Sequence, residues 1–553
     1  MSGLVTIDGA EARAARGTIV TINHTDHLYA DTAVTDEQGR FVFRDVPAGR
    51  YQLAAEKGGY LTSRFGAPGP GRAGTPIAIT DGQQLTGLAL KIVKGSVLTG
   101  TVRDPDGDPA SGVMISVKRF VSGGGVRRLV EAGSDGSSRT DDRGVFRLYG
   151  LPAGEYVLQV LPTLDFEDSL SSLHQTTTAD VAWGRALVSS QAAGVGGSQP
   201  APSPPPAGTV GYAPVYFPNT LQQSAAATIA VGPGEERSGL DFTLSLRPTF
   251  RVSGTVTAQN GSAPSGSPHL YLVEPGVDGG GWFGVKERGG TPFTFSGVAP
   301  GSYAIAAIVD ETRMWAMTTV NVSNQDQSVS LTLQPGMSTA GRVVFQGTRP
   351  APTDLTTVDI AVSALAIAGG LVVEPLSTNP KADGTFAVDG LMPGSYRLSA
   401  YLPGRQAGKS DWILRSAMVG DQDIADFPLE VRAGAEIGKV TVTFTDRPTE
   451  LSGRLQDASG RAASDYFIIV FSADERTWGE RSRRIAQTRP ASDGRYVVHG
   501  LPPGEYLVAA LTDVEGDEWH DTGFLRQLKA TTLKTTLGEG ERKILDIRIA
   551  GLR

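Results

Sequence analysis

The sequence predicts an all-β protein, a tandem array of five β-sandwich domains, and three observations predict it. Glycine (70) and proline (34) make up about a fifth of the 553 residues. That is above average usage and below the ~25–30% of low-complexity disorder, so the chain folds with many turns and little helix. Its length also exceeds the ~250–300 residues at which a single core stops growing. Finally, a motif of the form Asp-x-x-Gly-x-Phe, followed after a short strand by Val/Leu-Pro-x-Gly-x-Tyr, recurs five times with small changes of spacing.

The copies run through Asp36, Gly39, Phe41, Pro47, Gly49 and Tyr51, then Asp141, Gly144, Phe146, Pro152, Gly154 and Tyr156. A degraded third copy keeps Phe293, Pro300, Gly301 and Tyr303 but lacks the Asp turn. The fourth has Asp383, Gly384, Phe386, Pro393, Gly394 and Tyr396, and the fifth has Asp493, Gly494, Tyr496, Pro502, Gly504 and Tyr506. The tyrosines Tyr51, Tyr156, Tyr303, Tyr396 and Tyr506 stand 105, 147, 93 and 110 residues apart, so each unit is a domain.

The physics of the unit is readable. Asp and Gly make a tight turn in which Gly takes positive φ, and the alternating residues after it form a half-buried strand. The Pro/Gly pair ends that strand and turns the chain into the next, led by the tyrosine. The fixed spacing of the tyrosine to the corner glycine makes it structural. An opening strand precedes each copy and carries a glycine: Gly3, Gly100, Gly254, Gly341 and Gly453. An alternating strand closes each unit, from Leu88 to Val93, Leu240 to Leu246, Val329 to Leu333, Val440 to Phe444 and Ile544 to Ile549. About seven strands per unit with frequent turns is a two-sheet sandwich. The predicted domains are 1–94, 95–248, 249–336, 337–448 and 449–553.

The opening glycine strand, the Asp/Gly turn and the Pro-x-Gly-x-Tyr corner resemble the carboxypeptidase regulatory-like domain. This is a transthyretin-like/immunoglobulin-like sandwich, similar also to collagen-adhesin B-type and starch-binding-like modules. The resemblance implies a bacterial, exported, multi-module protein at the cell surface, outside the cell or in the periplasm. It does not imply peptidase activity. Internal isopeptide bonds of the B-type modules need a lysine in the first strand, and none of the five opening strands has one.

An insertion of about 161–214 interrupts the second domain. Its first half predicts a short helix from Ala179 to Gln191, and the Gly/Ser/Pro tract that follows predicts a mobile loop. Short linkers, as between Lys91 and Gly100, predict a rod or bent array with restricted motion between domains.

Chemistry is harder to find. With 0 cysteines there is no disulfide, zinc ribbon or thiol nucleophile. A net charge of −8 gives no footprint for nucleic acid, and no apolar run reaches the ~20 residues of a membrane span. The start, MSGLVTIDGA, lacks the charged and apolar regions of a signal peptide. No zinc-binding pair or serine elbow is present, so a zinc carboxypeptidase catalytic domain is absent and no catalytic residue is assigned. His24 and His27 read as surface histidines, and 404–410 is one residue short of a phosphate loop.

Trp282 and Phe283, flanked by glycines, and then Trp478 and Trp519, could stack on sugar rings. Asp104, Asp106 and Asp108 place three carboxylates close together, as calcium prefers, although a hairpin turn explains them without metal. The acidic stretch 513–521 and the basic trio Arg481, Arg483 and Arg484 read as solvated loops. The expected function is a non-catalytic exported scaffold or adhesion protein that needs no cofactor and binds a protein or polysaccharide partner at the cell envelope. The alternatives are a carbohydrate-binding accessory protein and an enzyme with a site at a domain interface.

Overall fold

The computed structural model describes all residues except 10–11, 26–27, 124–125, 134–138, 162–172, 193–202, 204–208, 274–291, 372, 403–411, 480, 517 and 550–553. The all-β array is what is found, and one plan recurs five times.

In each unit the opening strand lies between the strand after the Asp/Gly turn, which is antiparallel to it, and the closing strand, which is parallel to it. Ser2–Ile7 lies between Arg40–Val42 and Leu88–Lys94; Phe250–Thr257 lies between Phe293–Val298 and Gln327–Thr332. Met337–Gln346 lies between Thr385–Leu391 and Val440–Thr445. In the second and fifth units the closing strand is split in two, as in Arg542–Ile544 and Ile547–Arg548 beside Glu450–Gln456. The strand after the Pro/Gly corner belongs to the other sheet and pairs with a mid-domain strand, as Gly49–Glu56 does with Ile19–His24.

The opening-strand glycines have one cause. Gly3, Gly100, Gly254, Gly341 and Gly453 stand opposite Phe41, Phe146, Phe293, Phe386 and Tyr496 in the register. A Cβ at Gly341 would meet Phe386 Cζ at 2.3 Å, and one at Gly3 would meet Phe41 Cζ at 2.5 Å and the Leu88 carbonyl at 2.2 Å. The motif aromatic therefore lies across a glycine in the neighbouring strand, an arrangement that replaces the missing side-chain packing.

The corner tyrosines are equally uniform. Tyr51, Tyr156, Tyr303, Tyr396 and Tyr506 are all buried. Each hydroxyl donates to the carbonyl four residues upstream, that of Pro47, Pro152, Ala299, Met392 or Pro502, at 2.5–3.0 Å. This ties the corner to the strand that leaves it, as in the tyrosine corner of immunoglobulin-like sandwiches. Burial, the dominant cause, pushes Tyr506 up to about 12 against the opposing charge of Arg484.

Each unit has its own core. In the fifth, the sheet is buried on both faces: Phe467–Ser472 has no exposed residue, because Leu525 and Leu528 of the helix Thr522–Leu528 cover its outer side. Asp521 caps that helix through its carboxylate, which accepts from the Phe524 N–H at 2.7 Å. The insertion's helix runs Thr178–Ala192, one residue longer at each end than expected. Thr177 and Asp180 cap it reciprocally. The Gly/Ser/Pro tract lies almost wholly outside the described residues.

The array is not an open rod. Arg489 of the fifth domain donates to the carbonyls of Gly66 and Ala73 in the first, and the Ser492 N–H donates to the Pro76 carbonyl at 2.9 Å. Nothing in the local pattern announces that the first domain docks on the last.

Candidate functional site

The junction of the first and fifth domains encloses a two-part cleft, with openings of about 420 and 300 Å³ that share Gln52, Ala73, Gly74 and Gln487. Its floor follows from strand alternation. In Ile19–His24, Val20 and Ile22 face the core while Thr21 and Asn23 face the cleft; in Gly49–Glu56, Tyr51, Leu53 and Ala55 face in while Gln52, Ala54 and Glu56 face out. Register sets Asn23 directly opposite Gln52 and Thr21 opposite Ala54, and places Arg64 beside Ala54 on the other side.

The segment after Arg64 crosses to the fifth domain. Gly74 packs so tightly that a Cβ there would lie 2.8 Å from Arg64 Cβ and 2.9 Å from the Phe65 carbonyl. From this segment Thr75 donates its hydroxyl to the Ser464 carbonyl at 2.9 Å. Arg72 binds Asp513 at 2.8 Å and Glu515 at 2.9 Å. Those hydrogen bonds raise the Arg72 guanidinium against the burial that opposes them.

Arg489 holds the centre. It is buried, its guanidinium lies 4.6 Å from the Phe467 ring, and it also donates to the Ser464 carbonyl at 3.0 Å. Its Nε is buried without a hydrogen-bond partner. Desolvation lowers its pKa, partly offset by Asp465. The cation stays charged, because it faces three carbonyl dipoles and a ring.

The candidates from sequence fare differently. Trp282 and Phe283 lie outside the described residues, as do His27 and 404–410. Trp478 is corrected: it is 6% exposed, its indole N–H donates to the Ser472 carbonyl at 2.7 Å, and its ring packs edge-on to Phe471. The helix over the second face of the sheet makes that position core, so Trp478 offers no face to a sugar. Trp519 is half-buried against the same core, with its ring centroid 3.7 Å from that of His520. Asp104 uses one carboxylate oxygen to accept from the N–H groups of Asp106 and Asp108, both at 2.9 Å, which closes the turn. Among the described residues no three acidic or histidine side chains are grouped to hold a metal ion.

The reading of the basic trio holds for Arg481, which is exposed, and is corrected for the other two. Arg483 and Arg484 reach into the fourth domain, each binding Asp426 at 2.7 Å, and Arg483 binds Asp423 at 3.0 Å. The Asp426 side chain is 2% exposed, so this is a buried junction and not a solvated loop. His499 and Glu56 both line the cleft, but in different openings, and His499 faces Glu450 of its own domain at 3.6 Å. Sequence reasoning missed Asn23, Gln52 and Gln487, whose one signal was their outward position in alternating strands.

The architecture defines a chain of tandem β-sandwiches in which opening and closing strands pair in parallel. Residues 1–90 and 97–184, in the first two sandwiches, match the carboxypeptidase regulatory-like domain. No curated protein matches the chain. Among solved structures it is similar to the Bacillus anthracis TIE protein, at 9% identity over 92% of this chain and 73% of that one, with a TM-score of 0.14. It is similar also to a streptococcal ancillary pilin (12% identity, 54% and 98% covered, TM-score 0.18). A third is a pair of B repeat units of the collagen binding protein of Staphylococcus aureus (12% identity, 77% and 94% covered, TM-score 0.14). At these TM-scores the chains do not superpose as wholes.

Proposed function

We propose that the protein is a non-catalytic, exported scaffold that binds a protein or glycan partner at the cell envelope. One observation carries this reading. The residues that recur in all five domains, the glycine–aromatic pairs and the tyrosine corners, serve the fold, whereas polar side chains that the fold does not use gather where the first and last domains meet. The family match supports it, being to a regulatory-like module and not to a peptidase catalytic domain.

The test is fractionation of cells that express the tagged protein from its native gene, followed by co-sedimentation of the purified chain with envelope material. The expected outcome is recovery with the envelope and saturable binding. Recovery in the cytosol, or turnover of a peptide or glycan substrate by the purified chain, overturns it.

A further inference from the structure

We propose that the cleft between the first and fifth domains binds a carboxylate-bearing oligosaccharide, with Asn23, Gln52 and Gln487 reading hydroxyl groups and Arg64 taking the carboxylate. This rests on the binding role proposed above and names its site and ligand class.

Three observations carry it. First, the amides of Asn23, Gln52 and Gln487 make no side-chain hydrogen bond among the described residues, although Gln83, Asn219 and Asn379 elsewhere bond within the fold. An amide presents a donor and an acceptor side by side, which suits a pair of neighbouring hydroxyls. Gln487 comes from the fifth domain and lines both openings, facing the Asn23–Gln52 pair of the first.

Second, the cleft is cationic in a chain of net charge −8. Arg64 and Arg72 line the larger opening against one carboxylate, Glu56, while Arg50 and Arg489 line the smaller one, whose described lining includes no Asp or Glu. Arg72 and Arg489 already have protein acceptors. Arg64 is exposed and has no ion pair among the described residues, so its planar fork is open to a carboxylate.

Third, among the described residues no Trp, Tyr or Phe ring lines either opening, and the one imidazole there, that of His499, faces Glu450. A neutral sugar recognised by stacking has no platform here, and a peptide has no apolar pocket for an anchor side chain. A polyhydroxylated ligand with acidic groups meets the chemistry that remains. The site exists only while the two domains are docked, because each supplies part of it.

Calorimetric titration of the full-length chain with oligogalacturonate, a neutral maltooligosaccharide and polyglutamate tests this. Oligogalacturonate is expected to bind, at least tenfold more tightly than the other two, and to weaken as salt is raised. Arg64→Ala and Gln487→Ala, both away from the core, should each weaken binding at least tenfold with the unfolding temperature unchanged. Arg489→Ala should separate the domains, seen as a larger maximum dimension in small-angle scattering, and abolish binding. Equal binding of the neutral sugar or of polyglutamate overturns the proposal, as do indifference to Arg64→Ala and Gln487→Ala, binding that survives domain separation, or no binding to a folded, closed chain. Envelope co-sedimentation is a separate measurement, so failure here leaves the scaffold reading standing or falling on its own.

Discussion

The junction between the third and fourth domains and the junction between the first and fifth are built from the same face of the same sheet, with opposite chemistry. In the third domain, Ala306 and Trp315 belong to the core cluster of the fourth, and Tyr271, Ile308 and Met317 pack against it. In the first domain the equivalent outward face carries Asn23, Gln52 and Glu56, and the contact is made by hydrogen bonds and ion pairs. The corner-tyrosine strands record the difference. Gly301–Val309 reads GSYAIAAIV, apolar on both faces, whereas Gly49–Glu56 reads GRYQLAAE, polar on one. A continuous apolar run marks a face that another element covers. Alternation marks one left to water or to a polar partner, and the contrast teaches which junctions are permanent and which can hold a ligand.

The largest expected effect breaks the apolar junction. Trp315→Ala removes a ring that is 5% exposed between two domains, and large-to-small changes of this kind cost about 3–5 kcal/mol. Denaturant unfolding should show the third and fourth domains melting together in the parent chain and separately in the variant. A single unchanged transition would mean that the shared cluster does not couple them.

Next comes the fourth–fifth junction, intermediate in chemistry. Asp426→Asn leaves Arg483 and Arg484 without their buried carboxylate. Breaking a buried pair costs about 3 kcal/mol, the lower end of its range here, because each arginine keeps about a fifth of its side chain exposed. Asp423, raised by burial and partly offset by Arg483, stays as the remaining acceptor. Fluorescence-monitored urea unfolding of the fourth and fifth domains measures the loss, and a change below about 1 kcal/mol would place the pair among surface bridges.

A control inside one domain separates junction effects from fold effects. Tyr506→Phe deletes the bond to the Pro502 carbonyl and should cost about 1 kcal/mol, leaving both junctions docked. Because the folded state holds the Tyr506 proton up to about 12 while an unfolded tyrosine releases it near its ordinary value of 10, the unfolded chain binds fewer protons between these values. Stability conferred by this group is therefore complete below pH 10 and is lost as pH rises toward 12. Unfolding midpoints at pH 9 and 11.5 should fall less steeply in the variant. An identical slope would show that the hydroxyl ionises as freely in the fold as outside it.

Much of the fold was legible because its rules are local. The Asp/Gly turn, the Pro/Gly corner and the tyrosine act within a few residues, and the opening glycine was visible as a repeat even though its partner, the motif aromatic, shows only in the register. What was not legible involves residues from about fifty to more than four hundred positions apart. Trp478 and the Arg483–Arg484 pair sit in a segment rich in charge, where a solvated loop is the local reading; the helix Thr522–Leu528 and Asp426 overturn it from elsewhere in the chain. The cleft is harder still, since the outward polarity of Gln52 is ordinary until Gln487 is placed across from it.

The smallest expected effect sharpens the comparison most. Arg72 joins the first domain to Asp513 and Glu515, whose side chains are 53% and 73% exposed. Bridges to such exposed partners contribute about 0–1 kcal/mol, and 1 M salt shortens the screening length to about 3 Å. Arg489 is buried and the backbone bond from Ser492 to Pro76 joins neutral groups, so both should hold the domains together without Arg72. Arg72→Ala, and separately 1 M sodium chloride on the parent chain, should leave the scattering profile that of the closed form. Opening under either condition would show the junction to be held by surface charge; the cleft would then form only at low ionic strength, and the contrast with the apolar third–fourth junction would become one of permanence as well as polarity.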